Sequence, residues 1–324
     1  MLSLKDFQHK SIVFIFSKED KIRFSNENLV FEEKDTGKIK NQMPCIKIFA
    51  VIVIGSITIT SHLLEKSSKY GFSLIFLKDN FKPYSYMGAY SEGNTLLKEK
   101  QYLQNDNFNL SLYFVRLKIS NQVNNLKYLR NKNSEISHAI ERISDILYGL
   151  GSDENGVNSK LLGKEGNASK IYFKAYFSEH GWQSRKPRTK IDPINTLMDI
   201  GYTFLFNFIE ANLRLYGFDV YKGFYHRLFY QRKSLVCDFV EPFRCIIDKN
   251  IRKGFNLKKY KDEDFKLLKN IYVLRKNKSR HYTDSLFHDL LDHKEEIFIF
   301  IQKFYRCFFQ DKDIREYPIF SISN

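Results

Sequence analysis

The residues of this chain best suited to metal and phosphate chemistry are a histidine and three carboxylates in its last two thirds. His226 precedes a segment that begins at Ser234 and carries Asp238 and Glu241. Read as a helix running toward Arg252, with the Ser234 hydroxyl capping its first turn, the segment puts Asp238 and Glu241 three apart on one face. Their side chains then lie about 5–6 Å apart. Two anions so placed repel each other unless a cation lies between them, in which case the repulsion becomes chelation and His226 can add a nitrogen ligand. The same pattern also suits a solvated polar face, because Val236, Phe239, Val240, Phe243 and Ile247 form an apolar stripe on the opposite side. Pro242 removes an amide donor and crowds the carbonyl of Asp238, so a kink is expected at the turn that carries both carboxylates.

Glu165 is the third carboxylate. Leu161, Ala168, Tyr172 and Tyr176 recur at helical spacing, and Glu165 falls within that stripe. An ionised group on a core-facing stripe needs compensation, either from a buried cationic side chain such as arginine or from a metal shared with His226 and Glu241. Oxygen donors with one imidazole and no thiol favour Mg²⁺ or Mn²⁺ over zinc. The surrounding Gly163-Lys164-Glu165-Gly166-Asn167-Ala168-Ser169-Lys170 lacks the G-x-x-x-x-G-K-[ST] spacing of a phosphate-binding loop. Cations that could meet phosphates fall in two groups. Arg185, Lys186, Arg188 and Lys190 stand beside Trp182, a basic-aromatic cluster fitted to phosphates and a splayed base, or else a solvated loop. Arg227, Arg232, Lys233 and Arg244 lie closer to the carboxylates in sequence.

The elements that must position these residues change character along the chain. Short β-branched or aromatic runs at 12–16, 21–24, 29–32, 46–54 and 72–77 read as strands, with a turn at Asp35-Thr36-Gly37. Thr60 or Ser61 can cap a helix that ends at Gly71, and Lys82-Pro83, Gly88 and Gly93 read as a connector. Beyond about residue 95 the period is helical, over 96–103, 109–130, 136–150, 157–177, 193–216, 234–252, 262–274 and 284–309. Asp192-Pro193 is a strong helix start, and residues 317–324 read as a tail.

The 324 residues are 43% hydrophobic and 16% aromatic, which excludes a disordered chain and leaves room for two domains. The net charge of +15 favours a polyanionic partner, most simply nucleic acid, although a Lys-, Asn-, Ile- and Phe-rich background also inflates lysine. Cys45, Cys237, Cys245 and Cys307 show no C-x-x-C spacing, so no zinc ribbon or disulfide framework is indicated and a reducing cytoplasm fits. The most apolar run, 48–54, is too short to cross a membrane as a helix.

Taken in order, several of these stretches resemble the motifs of one family. They are Leu161 to Phe173, Arg188-Thr189-Lys190-Ile191-Asp192-Pro193-Ile194-Asn195, Gly201-Tyr202, Gly223-Phe224-Tyr225-His226 and Ser234 to Arg244. They resemble the CRISPR-associated integrase, the first protein family of the CRISPR adaptation module. The likeness reaches the strand-rich region through Ile54-Gly55 and Ser61-His62-Leu63-Leu64, and so spans nearly the whole chain. Cys237 departs from the small or aliphatic residue usual in the family, with no consequence for catalysis.

The resemblance implies an α+β chain, with a β-rich, sandwich-like dimerisation domain over residues 1–87 and a larger helical catalytic domain over 88–324. It implies Mg²⁺- or Mn²⁺-dependent DNA endonuclease and integrase activity, inserting spacer DNA into a CRISPR array by attack of a 3′-hydroxyl on a phosphodiester. The family's glutamate falls on Glu165, its histidine on His226 and its carboxylate pair on Asp238 and Glu241. The implied partners are double-stranded DNA (spacer precursor and array), a second copy of the chain and the second CRISPR-associated adaptation protein, with no membrane. A metal-dependent repair nuclease that does not integrate, and a DNA-binding scaffold in which Glu165 is merely ion-paired, are the competing readings.

Overall fold

The computed structural model describes residues 4–17, 20–79, 82–88, 94–104, 107–152, 158–182 and 184–322. A short helix α1 (Leu4–Gln8) precedes strands β1 (Ser11–Phe16), β2 (Asp20–Ser25), β3 (Asn28–Glu33), β4 (Ile39–Pro44) and β5 (Ile48–Ile54). Helix α2 (Ser61–Tyr70) then leads to β6 (Ser73–Leu77) and β7 (Pro83–Met87). One sheet has the order β1-β5-β6-β7, parallel except for β7, and β2-β3-β4 form a smaller antiparallel sheet. All seven residues of β5 are buried, as a parallel strand covered on both faces requires. Its side chains alternate between two cores: Val51 and Val53 meet Leu29 and Phe31 of the smaller sheet, while Ile52 and Ile54 join the core of the helical region.

The five expected strands are present, and β4 and β7 are additions to them. Both are edge strands with mostly exposed side chains, so no apolar alternation marks them, and β7 opens on Pro83, which a sheet accepts at its edge. Thr60 Oγ1 accepts from the Leu63 amide at 3.3 Å, and Gly71 ends α2 at φ +69°, where a side chain would strain the backbone.

The rest of the chain is mostly helical: α3 (Thr95–Leu103), α4 (Phe108–Lys127), α5 (Ser134–Tyr148), α6 (Asn158–Tyr176), α7 (Pro193–Leu215), α8 (Ser234–Val240) and α9 (Arg244–Asn256). A hairpin of β8 (Phe265–Leu268) and β9 (Ile271–Leu274) then leads to α10 (Lys276–Asp292) and α11 (Lys294–Phe309). The Asp192 carboxylate caps α7 by accepting from the Asn195 amide at 2.6 Å, with Pro193 in the first turn.

Four expectations need correction. The 262–274 stretch is a hairpin, not a helix, because Lys269 and Asn270 both adopt positive φ and turn the chain back. The 234–252 helix is interrupted by a 3₁₀ turn, Glu241–Phe243, at the proline. The 284–309 helix is two helices meeting at His293. The supposed tail is docked: Tyr317, Phe320 and Ile322 are buried, and Asn121 of α4 donates to the Phe320 carbonyl (3.0 Å) and accepts from the Ile322 amide (2.8 Å). Asn121 also donates to the Pro242 carbonyl at 3.2 Å, so the C-terminal segment braces the 3₁₀ turn that carries Glu241. Among the described residues no helix is long and apolar enough to cross a membrane.

Candidate active site

Three elements converge on one charged cluster: α4 brings Lys118 and Gln122, α6 brings Glu165 and Ser169, and the 3₁₀ turn after α8 brings Glu241. The Lys118 ammonium pairs with Glu165 Oε1 and, at 2.7 Å, with Glu241 Oε2. Ser169 Oγ, one turn along α6, donates to the same Glu165 oxygen at 3.1 Å. Arg244 Nη2 meets Glu241 Oε1 at 2.9 Å, and its guanidinium lies 4.6 Å from the centre of the Tyr202 ring. Burial would push the Glu241 carboxyl up, but Arg244, Lys118 and His226 outweigh it and hold the group down at about 2. For Lys118 burial opposes the charged form, and Glu241 and Glu165 overcome it, so its ammonium is held above the usual lysine range. Glu241 Oε2 takes the Lys118 ammonium and Oε1 the Arg244 guanidinium, so both oxygens of this buried carboxylate face cations. A second carboxylate on the same ammonium makes this a position that demands positive charge.

Asp238 stands apart from the Lys118 cluster and is placed to orient His226. It is fully buried; its Oδ2 accepts the amides of Phe224 (2.6 Å) and Tyr225 (3.1 Å), and its Oδ1 accepts that of His226 (2.8 Å). Oδ1 also takes His226 Nδ1 at 2.7 Å. This fixes the imidazole with its proton on Nδ1 and leaves Nε2 as the nitrogen for a ligand or a proton. Gly223 permits the wrap, since a Cβ there would come within 2.9 Å of Asp238 Oδ2 and 2.7 Å of the His226 carbonyl. Ser234 is not the expected N-cap. Lys233 holds that position, and the Ser234 hydroxyl donates to the Arg227 carbonyl at 2.9 Å, closing the loop that follows His226.

Next to Glu165 and Glu241 lies a cleft of about 490 Å³, lined also by Trp182, Arg185, Arg244 and Asp248. The structure corrects several expected DNA contacts. Trp182 is 7% exposed and packed between Phe173 and Phe177, so it offers no free face for a base. Arg185 is committed to Asp199 (2.6 Å) and Asn195 (2.9 Å), and Lys233 to Glu210 (2.7 Å). Lys186 and Arg188 keep exposed side chains while their amides are tied to Asn195 and Asp199. Lys190 is half-buried, and its carbonyl accepts from the Tyr272 amide. Arg227 and Arg232 are exposed and flank Leu228, Phe229 and Tyr230, which are 65%, 70% and 84% exposed.

Lys118, Gln122 and Asp248 belong to the site but escaped pattern reading. A lysine between Leu117 and Ile119 on a helix with a mostly buried middle was the available signal. Asp248 accepts from Tyr202 (2.5 Å) and Tyr172 (3.1 Å), and burial pushes its carboxyl up to about 6 against those bonds and the pull of Arg244. Among the described residues, the group of three His, Asp or Glu ligand atoms within 4.8 Å of one another is elsewhere, at exposed His288 and Asp292 with Asp289 on α10. Neighbouring side chains of one exposed helix often gather so without a ligand.

The family model described as CRISPR associated protein Cas1 matches residues 13–286. Among curated proteins, the chain is 30% identical over 267 residues to "CRISPR-associated endonuclease Cas1 1" of Thermodesulfovibrio yellowstonii, covering 79% of this chain and 83% of that protein. Among solved structures, it superposes on a chain of a Cas6-RT-Cas1–Cas2 complex with a TM-score of 0.82 at 18% identity, covering 98% of this chain and 36% of that longer one. It superposes on a casposase bound to integration product with a TM-score of 0.71 at 17% identity, covering 97% and 96% of the two chains.

Proposed function

Because the chain belongs to the CRISPR-associated Cas1 family, we propose that it is a metal-dependent DNA endonuclease and integrase that inserts spacer DNA into a CRISPR array. The observation that carries this reading is the convergence of Glu165 and Glu241 on one cationic position, beside a histidine whose orientation is fixed by a buried aspartate. Glu165, His226 and Glu241 would hold Mg²⁺ or Mn²⁺. The donor set is hard oxygen plus one imidazole, and the positive charge already held between the two glutamates supports the fit. Such an ion supplies Lewis-acid polarisation of the scissile phosphate and neutralises charge that develops on it.

In strand transfer the 3′-hydroxyl of the incoming DNA attacks phosphorus, its proton departs, the bond to the leaving 3′-oxygen breaks in line, and that oxygen is protonated. Hydrolysis is the same displacement by water. His226 Nε2 is available for ligation first and for proton transfer second, while Asp238 acts by positioning the ring. Arg244 is placed to neutralise phosphate charge at the cleft, with Arg227 and Arg232 on the exposed loop after His226. We assign residues 1–87 as the dimerisation domain and double-stranded DNA as substrate. The second adaptation protein is assigned as partner on the strength of the solved complex that contains Cas1 with Cas2.

The Lys118 bridge is what a scaffold with an ion-paired Glu165 would also display, so the test must separate activities. Purified protein is given a labelled duplex and a supercoiled target over a Mn²⁺ and Mg²⁺ titration, and joining, cleavage and binding are scored separately. Metal-dependent joining is expected. Cleavage without joining would leave a repair nuclease, and binding alone a scaffold.

A further inference from the structure

We propose that Lys118 is the counter-ion of the metal-free site, and that its ammonium vacates the space between Glu165 and Glu241 when a divalent cation is held there. This rests on the metal reading above. One ammonium touches both carboxylates that would hold the metal, through Glu165 Oε1 and Glu241 Oε2. Two glutamates buried this close require positive charge at all times, and a lysine brought by a third helix provides it in the absence of metal.

The displaced ammonium has somewhere to go. Gln122 lies four residues on along α4, on the same helix face, and is 4% exposed; its Nε2 donates to Ser169 Oγ at 3.2 Å, while its Oε1 has no hydrogen-bond partner among the described residues. Lys118 and Gln122 both line the 490 Å³ cleft. Turning the lysine side chain from the carboxylates toward that acceptor needs side-chain rotation and no movement of the helix backbone. Loading would thus be an exchange: the cation takes the carboxylates, Gln122 takes the ammonium, and the positive charge moves along the cleft where a phosphate would lie.

The test uses the full chain. Lysine-selective reductive methylation, read peptide by peptide by mass spectrometry, should label Lys118 slowly without metal and several-fold faster at saturating Mn²⁺. In parallel, Mn²⁺ affinity is measured by electron paramagnetic resonance of the free ion. Lys118→Met should tighten the dissociation constant by about tenfold, because the competing occupant is gone, and Mn²⁺ should raise its melting temperature more than that of the wild type. Arg244→Met removes a like charge from the same Glu241 without emptying the space, and should tighten it less. Wild type that binds Mn²⁺ with unchanged Lys118 labelling, or equal tightening in the two variants, overturns the exchange and leaves the metal site standing. Wild type that binds no Mn²⁺ overturns both.

Discussion

The cleft has two charged ends that look alike in sequence and behave differently in the fold. At the carboxylate end, Lys118, Glu165, Glu241 and Arg244 come from separate elements and meet across a largely buried gap. At the basic-aromatic end, Arg185 is held by Asp199 and Asn195 of α7, and Trp182 is packed between two phenylalanines. At the first end the cations are paired with the proposed ligand carboxylates, whereas at the second Arg185 spends its charge tying a loop to a helix while Lys186 and Arg188 keep exposed side chains. Density of cations in a sequence is thus a poor guide to where phosphate binds; the better guide is what each side chain is paired with in the fold.

The comparison breaks most visibly in activity. Glu165→Ala, His226→Ala and Glu241→Ala should each lower strand transfer and cleavage to below about one-thousandth of wild type, with DNA binding nearly intact in a filter or gel assay. Retained turnover in any of them would remove that residue from the site. Asp238→Ala should be severe in a second way. It strands three amides, two of them buried, and frees the imidazole, so it should cost on the order of 3 kcal/mol in a denaturant melt as well as activity, and high Mn²⁺ should restore part of the latter. A stable variant with full activity would contradict the positioning role.

The two groups of cations sharpen the comparison further. Arg227→Ala and Arg232→Ala should each weaken duplex binding and reduce the slope of log affinity against log salt by about 1. Arg185→Met should instead lower the melting temperature and leave that slope unchanged. The reverse pattern would place the phosphate path over the 184–190 loop.

A further effect is expected in stability against pH. Glu241 is held at about 2 against an ordinary 4.5, so its contribution is full above pH 4.5 and is lost as pH falls toward 2. Asp248 is raised to about 6 from 3.8, so the protonated form favours the fold and that contribution is lost as pH rises from about 4 through 6. Melting curves over this range should show Glu241→Gln flattening the acid limb and Asp248→Asn flattening the slope between pH 4 and 6. Unchanged slopes would mean that neither carboxyl is shifted.

Most of the local elements were legible in the sequence, as were the carboxylates and histidine proposed for the site. The strands at 12–16 and 72–77 and the Asp192-Pro193 helix start depend on short-range patterning, and they stand where that patterning places them. Glu165 in an apolar stripe needed compensation, and Pro242 did loosen the turn that carries Glu241. What only the tertiary structure decided is which charge answers which. Lys118 lies 47 residues from Glu165 along the chain, and no spacing rule links them. Asp238 and Glu241 are three apart, yet one is captured by a loop folding back over Gly223 and the other is delivered to α4 and α6 by a 3₁₀ turn. The docked C-terminal segment escaped for the same reason, whereas the hairpin at Lys269-Asn270 is a local turn that a helical-period reading of 262–274 passed over. Burial and ion pairing are settled by elements distant in sequence, whereas caps, strands and helix periods are settled within a few residues.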